Sequence, residues 1–180
     1  MLYDRRMELR DGNLLLRPMG DGDAAAVHDA CQDPEIPRWI PVIPSPYTLD
    51  DATEFIAAAK RNWAEGTSRN LAILDTAADE LLGSIGVRLG EIGAIGYWVK
   101  REARGCGAAS RALMLLSRWA LTEGGVERLE LMTHPDNVAS QRVAEKAGFQ
   151  YEGVLRSHLR YRDGRRRDSF VFSLLPSDLD

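Results

Sequence analysis

From Tyr97 to Ala120 the chain reads "YWVKREARGCGAASRALMLLSRWA", and no other passage limits the fold as tightly. An aromatic and β-branched run empties through a basic turn into two glycines one residue apart, and then into apolar positions of helical period. A strand that feeds such a turn and a helix presents unpaired N–H groups at the positive end of the helix dipole, which suits a phosphate. Glycine lets the ligand come close to the backbone. Two other readings of Arg104-Gly105-Cys106-Gly107-Ala108-Ala109 stand beside this one. The glycines could simply make a tight turn, or the turn could belong to a dinucleotide fold. The dinucleotide fingerprint needs Gly or Ala where Ser110 stands, the strands before the turn look antiparallel, and too little chain follows to build a doubly wound sheet.

The flanking chain supplies the rest of the pattern. "MELRDGNLLLRPM" predicts two short strands about Asp11-Gly12. "GDAAAVHDACQDPE" and "LDDATEFIAAAKRNWAEG" predict helices, each opened by an Asp in capping range and the second closed by Gly66. Between them Pro34, Pro37, Pro41, Pro44 and Pro46 forbid a continuous helix and leave Trp39 and Tyr47 on a loop. "NLAILD", "LLGSIGVRL" and "GAIGYWV" are three strands with tight connections, the pattern of an antiparallel meander. From Gly105, the positions Ala109, Ala112, Leu113, Leu116 and Ala120 keep helical spacing until Gly124-Gly125. A strand "VERLELMTH", a helix "NVASQRVAEKAG" stopped by Gly148, and a hairpin turning at Asp163-Gly164 complete the order.

No linker, repeat or low-complexity segment divides the 180 residues, so one domain over 1–180 is expected. With 44% hydrophobic and 28% charged residues the composition is that of a globular protein, and a net charge of -4 argues against general nucleic-acid binding. The opening "MLYDRRMELR" has charges where a secretory leader needs apolar residues, and no run approaches the ~20 apolar residues of a membrane span. A cytoplasmic protein without a membrane partner is expected. Cys31 and Cys106 have no metal-ligand spacing around them, so neither a metal site nor a disulfide framework is expected.

Arg104-Gly105-Cys106-Gly107-Ala108-Ala109 resembles the R/Q-x-x-G-x-G/A motif of the GNAT superfamily of N-acetyltransferases, whose backbone amides hold the pyrophosphate of acetyl-coenzyme A. Asn137, followed after one helix by Gly148-Phe149, resembles the superfamily's next element. "IGYWV", "HPDNVASQRVAEKAGF" and "PYTLDDA" are similar to the RimJ/RimL branch, the ribosomal-protein N-terminal acetyltransferases and their relatives. The resemblance covers most of the chain. It implies an α+β (mixed α/β) GNAT fold, with a central, mostly antiparallel twisted sheet of about seven strands and four helices, splayed at the two central strands. It also implies an enzyme that moves acetyl from acetyl-coenzyme A to a primary amine by direct attack on the thioester. A protein N-terminal α-amine is the preferred acceptor; a small-molecule amine (antibiotic, polyamine or amino acid) is the alternative. A catalytically weak acyl-coenzyme A-binding regulatory module is a third reading, and a homodimer is admitted.

The resemblance assigns the pyrophosphate to Arg104, Gly105, Cys106, Gly107, Ala108 and Ala109. It places the pantetheine arm between the strand ending at Val99 and the one containing Leu129 to Met132, where the backbone groups of Trp98 and Val99 would pair with it as an extra strand. The side chains of Tyr97 and Trp98 read as core. Asn137 either caps its helix or touches the cofactor, and Arg142 and Lys146, four apart on one face, either reach phosphates or are solvated charge. Many superfamily members carry, seven residues after the motif Asn, a Tyr that protonates the departing thiolate; here Ala144 stands there. The branch resemblance offers Ser140 in its place, against an ordinary first-turn serine. Glu91 is the expected carboxylate base, with Glu130 and Glu152 as rivals, and Trp39 and Tyr47 are expected at the acceptor. Arg156, Arg160, Arg162, Arg165, Arg166 and Arg167 crowd the last hairpin, either as solvated charge or as a surface for an acidic acceptor.

Overall fold

The structure, a computed structural model, describes residues 7–179. Residues 1–6, on which part of the expectation about a leader rests, lie outside them. The eight strands are β1 (Leu9–Asp11), β2 (Leu14–Pro18), β3 (Ser68–Asp75), β4 (Glu80–Arg88), β5 (Ile92–Val99), β6 (Arg128–Thr133), β7 (Gln150–Arg160) and β8 (Arg166–Leu174). They form one sheet in the order β1-β2-β3-β4-β5-β6-β8-β7. The expectation of about seven strands is one short, although β1 and β2 pair as predicted across the Asp11-Gly12 turn.

Five helices cover the sheet: α1 (Ala24–Ala30), α2 (Glu35–Trp39), α3 (Leu49–Ala64), α4 (Ala108–Thr122) and α5 (Val138–Lys146). The one not expected is α2, in the proline-rich segment. Pro34 stands at its N-cap and Pro37 within its first turn, where a helix needs no amide from the chain, so these prolines limit its length without preventing it. Trp39 therefore ends a helix instead of lying on a loop; Tyr47 does lie on one.

The Asp in capping range acts at the start of both early helices, in each case from the third position and not as the residue that caps with its own side chain: Asp51 in α3, and Asp23 in the 3-10 turn (Asp21–Asp23) that leads into α1. For α3 the cap is Thr48, whose Oγ1 accepts the Asp51 N–H at 3.1 Å while Asp51 Oδ2 accepts the Thr48 N–H at 2.8 Å, a reciprocal capping box. Asp23 makes no side-chain bond to α1 itself; its carboxylate takes both Arg17 guanidinium nitrogens at 2.8 Å and, closing the preceding turn, the Gly20 N–H at 2.8 Å. Burial alone would raise the Asp23 pKa, and the Arg17 and Gly20 hydrogen bonds outweigh it and hold the carboxyl below its ordinary value.

Strand alternation gives the sheet two packed faces. Leu71 and Ile73 of β3 join Leu113, Leu116 and Ala120 of α4 in the larger core, whereas Ala72 joins Ile56 of α3 and Val27 of α1 in the smaller one. Fully burying each such Leu or Ile contributes about 1.5–3 kcal/mol, so the two faces hold the sheet from both sides. No helix of the described residues is long and apolar enough to cross a membrane.

The feature that positions the site is the β5–β6 pair. Every other neighbouring pair is antiparallel, and this one is parallel, joined through α4. Its register runs only from Ile92 to Ala94 against Arg128 to Glu130. Beyond that the strands part, β5 continuing to Val99 and β6 to Thr133, which is the expected splay at the centre of the sheet.

Candidate active site

The gap begins where β5 loses its partner. The Lys100 N–H donates to the Leu82 carbonyl at 2.9 Å, and Trp98 stands opposite Ser84 in the same phase. Antiparallel pairing turns alternate residues toward and away from the neighbour, so the backbone of Trp98 faces β4 and those of Tyr97 and Val99 face the gap. Of the two residues expected to offer ladder groups there, Val99 faces the gap, with its carbonyl 3.4 Å from Arg104 Nη2, and Trp98 faces β4. The Trp98 ring is buried in the smaller core, and Tyr97 packs against the larger one.

At the end of the gap lies the glycine turn. Gly105 and Gly107 have φ of +77° and +85°, and a Cβ built on either would meet nothing within 4 Å. Glycine is needed there for backbone conformation, and the space beside the turn is open. Gly107 is the N-cap of α4 and no side chain caps it; the Arg111 N–H donates to the Gly107 carbonyl at 3.1 Å, which leaves the preceding helical amides to a ligand. Ala108 and Ala109 are buried beneath the turn, while Cys106 is exposed with its Sγ 3.0 Å from the Ala103 carbonyl. Arg104 points elsewhere: its Nη2 reaches Asp33 Oδ2 at 2.5 Å and the Val99 carbonyl at 3.4 Å.

On the other side of the gap, Asn137 caps α5, its Oδ1 accepting the Ser140 N–H at 3.1 Å. Its amide nitrogen is not used in that cap. Ser140 Oγ in turn accepts the Tyr97 hydroxyl at 3.1 Å, a contact between residues 43 apart that no local pattern announces. Ala144 has no exposed surface, so the place of the superfamily's usual Tyr is filled here by core packing. Arg142 and Lys146 are exposed on α5, Lys146 roughly 9 Å further along the helix than Ser140.

Where β6 ends, a cavity of about 230 Å³ is lined by Arg38, Trp39, His134, Asp136, Tyr161 and Arg167. His134 follows the last residue of β6, and its ring lies 5.5 Å from that of Trp39 and 5.7 Å from that of Tyr161. Arg38 stacks over Trp39 and Arg167 over Tyr161, each 4.5 Å from the ring centre. The Asp136 N–H donates to His134 Nδ1 at 3.0 Å, which assigns the proton of the neutral ring to Nε2. Of this group sequence reasoning named Trp39 at the acceptor and Arg167 among the hairpin arginines. The position of His134 just after a strand and just before the motif Asn is a usable signal; Tyr161 has none.

Other expected residues lie apart from the cavity. Tyr47 is buried in the smaller core, and burial pushes its phenol above the ordinary value. Glu91 stands at the closed end of the β5–β6 pair, where its carbonyl accepts the Glu127 and Arg128 N–H groups; six residues of strand, roughly 20 Å, separate it from Tyr97. Glu130 and Glu152 are both bound by Arg128, and Glu152 also accepts the Ser173 hydroxyl at 2.5 Å. The Arg128 and Ser173 hydrogen bonds hold the Glu152 carboxyl at about 2, a poor base. Much of the hairpin arginine charge is used in structure: Arg166 binds the Ser157 and His158 carbonyls, Arg160 that of Gly164, and Arg167 the Asp163 carboxylate. Among the described residues, no three His, Cys, Asp or Glu side chains gather as a metal site would need.

Comparison with known proteins follows this geometry. The family described as acetyltransferase (GNAT) domain matches residues 13–150. The chain is similar to the "Uncharacterized N-acetyltransferase p20" of Bacillus licheniformis, 30% identical over 90% of this chain and 92% of that protein. Among solved structures, a RimL ribosomal L7/L12 α-N-protein acetyltransferase in complex with coenzyme A superposes with a TM-score of 0.86 at 19% identity, over 97% of this chain and 100% of that one. Mycobacterium smegmatis RimJ in complex with CoA-disulfide gives 0.85 at 23% identity, over 96% and 88%. At these identities the two structures share the fold.

Proposed function

The chain belongs to the GNAT acetyltransferase family, and from that premise we propose that it transfers acetyl from acetyl-coenzyme A to a protein N-terminal α-amine. The observation that carries the cofactor half is the continuity of the unpaired edge of β5 with the open turn at Gly105 and Gly107. The residues present fit acetyl-coenzyme A. Amides at the start of α4 bind the pyrophosphate, the Val99 and Tyr97 backbone pairs with the pantetheine arm, and the remaining amide nitrogen of Asn137 faces the same ligand. Cys106 contributes its backbone, since it occupies the variable place of a motif that works through N–H groups. Arg142 reaches the phosphates from α5, with Lys146 at the margin. The coenzyme, when bound, supplies an acetyl thioester. Structures of RimL and RimJ with coenzyme A or its disulfide support this reading.

The acceptor enters at the cavity between Trp39, His134 and Tyr161, which adjoins the end of β6. It attacks the thioester carbonyl directly, as a neutral amine. His134 Nε2–H and the two arginines offer donors to the carbonyl oxygens of a peptide, and Asp136 at the rim accepts from the arriving amine. Each carboxylate expected as a strong base is remote or bound to Arg128, which favours an acceptor that needs little help. An α-amine titrates near 7.7–8.0 and a lysine near 10.4, so the lysine costs roughly 3 kcal/mol more to neutralise at pH 7. Ser140 hydrogen-bonds the departing sulfur in place of the absent Tyr.

The test is release of free thiol from acetyl-coenzyme A with a panel of acceptors: peptides with free α-amines, the same peptides α-blocked but carrying lysine, and free amino acids, polyamines and aminoglycosides. Turnover with the free α-amines and none with the blocked peptides is expected. Turnover confined to small amines overturns the peptide acceptor. Binding of acetyl-coenzyme A without thiol release from any acceptor leaves only the regulatory module.

A further inference from the structure

Ser140 presents a difficulty that its own chemistry does not resolve. A lone aliphatic hydroxyl is a weak acid beside a thiol of pKa near 8.5, and a serine free to rotate has no reason to aim its proton at sulfur. The structure supplies a partner. Tyr97 Oη lies 3.1 Å from Ser140 Oγ and donates to it, so the oxygen is occupied as an acceptor and its own O–H is directed away from the tyrosine. Tyr97 is held from both ends: its ring packs on the larger core, and its backbone stands opposite Ile85 in the β4–β5 ladder. Ser140 is held by the Asn137 cap through its N–H at 3.1 Å. Ala144, one turn further along α5, is fully buried and carries no donor.

We infer that Tyr97 is the positioning residue of a two-hydroxyl donor chain, Tyr97 to Ser140 to the sulfur of the departing coenzyme. This rests on the acetyl-transfer reading above. The amine nitrogen forms its bond to the thioester carbonyl carbon, and the C–S bond breaks with its electron pair on sulfur. Ser140 donates a hydrogen bond to the sulfur as negative charge builds there, and Tyr97 donates to Ser140, each keeping its own proton. The proton lost by the attacking nitrogen enters water, and the released thiolate takes one from water, so no other reactant is consumed. Aligned hydroxyls polarise one another, which makes the serine a better donor than it is alone. Burial pushes the Tyr97 phenol up to about 12 against the lowering influence of Ser140, so it stays protonated throughout the working range of an α-amine acceptor.

The experiment titrates the thiol of bound coenzyme A by its thiolate absorbance, with no acceptor present, in the wild type, Tyr97→Phe and Ser140→Ala. A donor to sulfur stabilises the thiolate, so the bound thiol should titrate roughly one pH unit higher in each variant. Steady-state kinetics with the double variant completes it. Tyr97→Phe should lower kcat about tenfold with the KM for acetyl-coenzyme A unchanged, and should have no further effect in the Ser140→Ala background. Phe keeps the buried ring, so melting temperature separates a folding defect from the loss of the hydroxyl. Identical thiol titrations in Tyr97→Phe and wild type, or independent kcat losses that multiply in the double variant, overturn the chain. If the thiol shifts as expected but no amine is acetylated, the donor chain stands and the transfer reading fails; if coenzyme A does not bind, both fall.

Discussion

Asp33 Oδ2 lies 2.5 Å from Arg104 Nη2, joining the turn between α1 and α2 to the approach of the cofactor turn 71 residues later. The same carboxylate takes Arg101 Nη2 at 3.1 Å and the Glu35 N–H, at the first residue of α2, at 3.2 Å. Asp33 is 8% exposed while Arg101 is 65% exposed, so the carboxylate is the constrained partner and the arginines can rehydrate. It thus connects the helix that carries Trp39 to the turn proposed to hold pyrophosphate. Asp33→Ala should cost about 1 kcal/mol in stability, read by denaturant unfolding, because the part-buried Glu35 N–H loses its acceptor while the exposed arginines rehydrate. It should also weaken both acetyl-coenzyme A and acceptor binding severalfold. A change in only one of the two KM values would show that the two halves are not coupled through Asp33.

Gly107→Val tests the cofactor turn. No neighbouring atom lies within 4 Å of the added Cβ, but φ of +85° is unfavourable for a β-branched residue. Stability should fall by about 1–2 kcal/mol from backbone strain, and acetyl-coenzyme A affinity should be lost far beyond that, since the side chain projects into the ligand space. Calorimetry beside thermal melting distinguishes the two; wild-type affinity in the folded variant removes the turn from the binding site.

Trp39→Ala opens the cavity proposed for the acceptor. The indole contacts His134, Arg38 and, through Nε1 at 3.2 Å, Glu35. The expected result is a KM for the peptide acceptor raised about 10- to 100-fold, with the KM for acetyl-coenzyme A within twofold, because truncating a central aromatic costs on the order of 2 kcal/mol. Equal rises in both values would place Trp39 outside the acceptor site.

The Glu152–Arg128 pair carries a pH signature. The folded carboxyl is held at about 2 against an ordinary 4.5, chiefly by Arg128 and then by Ser173. A depressed folded pKa contributes stability that is present above the unfolded value and is lost as pH falls through the folded one. Glu152→Gln should therefore melt below the wild type at pH 7, and the difference should close between pH 4.5 and pH 2. The pair is exposed, so the effect is small and should shrink further in high salt. A difference that persists unchanged at pH 2 would trace it to lost packing.

The amino-acid sequence by itself determined the order of the elements apart from α2, the hairpin about Asp11-Gly12, the antiparallel meander ending at Val99, and the glycine turn that opens α4. These follow from hydrophobic period, capping and positive-φ requirements within a few residues, and such preferences act before any distant contact forms. Tertiary structure decided which groups meet. Trp39, His134 and Tyr161 come from three separate segments, and their cavity depends on how the last hairpin is bent. There β7 loses register between Leu155 and Leu159, with Ser157 at φ of +51° and its N–H held by Asp168 at 2.8 Å. Likewise, strand phase turned the Trp98 backbone to β4 and Tyr97 toward Ser140, and the closed end of the β5–β6 pair left Glu91 far from the gap. Cross-strand phase and long-range pairing are set by the whole sheet, so no window of sequence contains them.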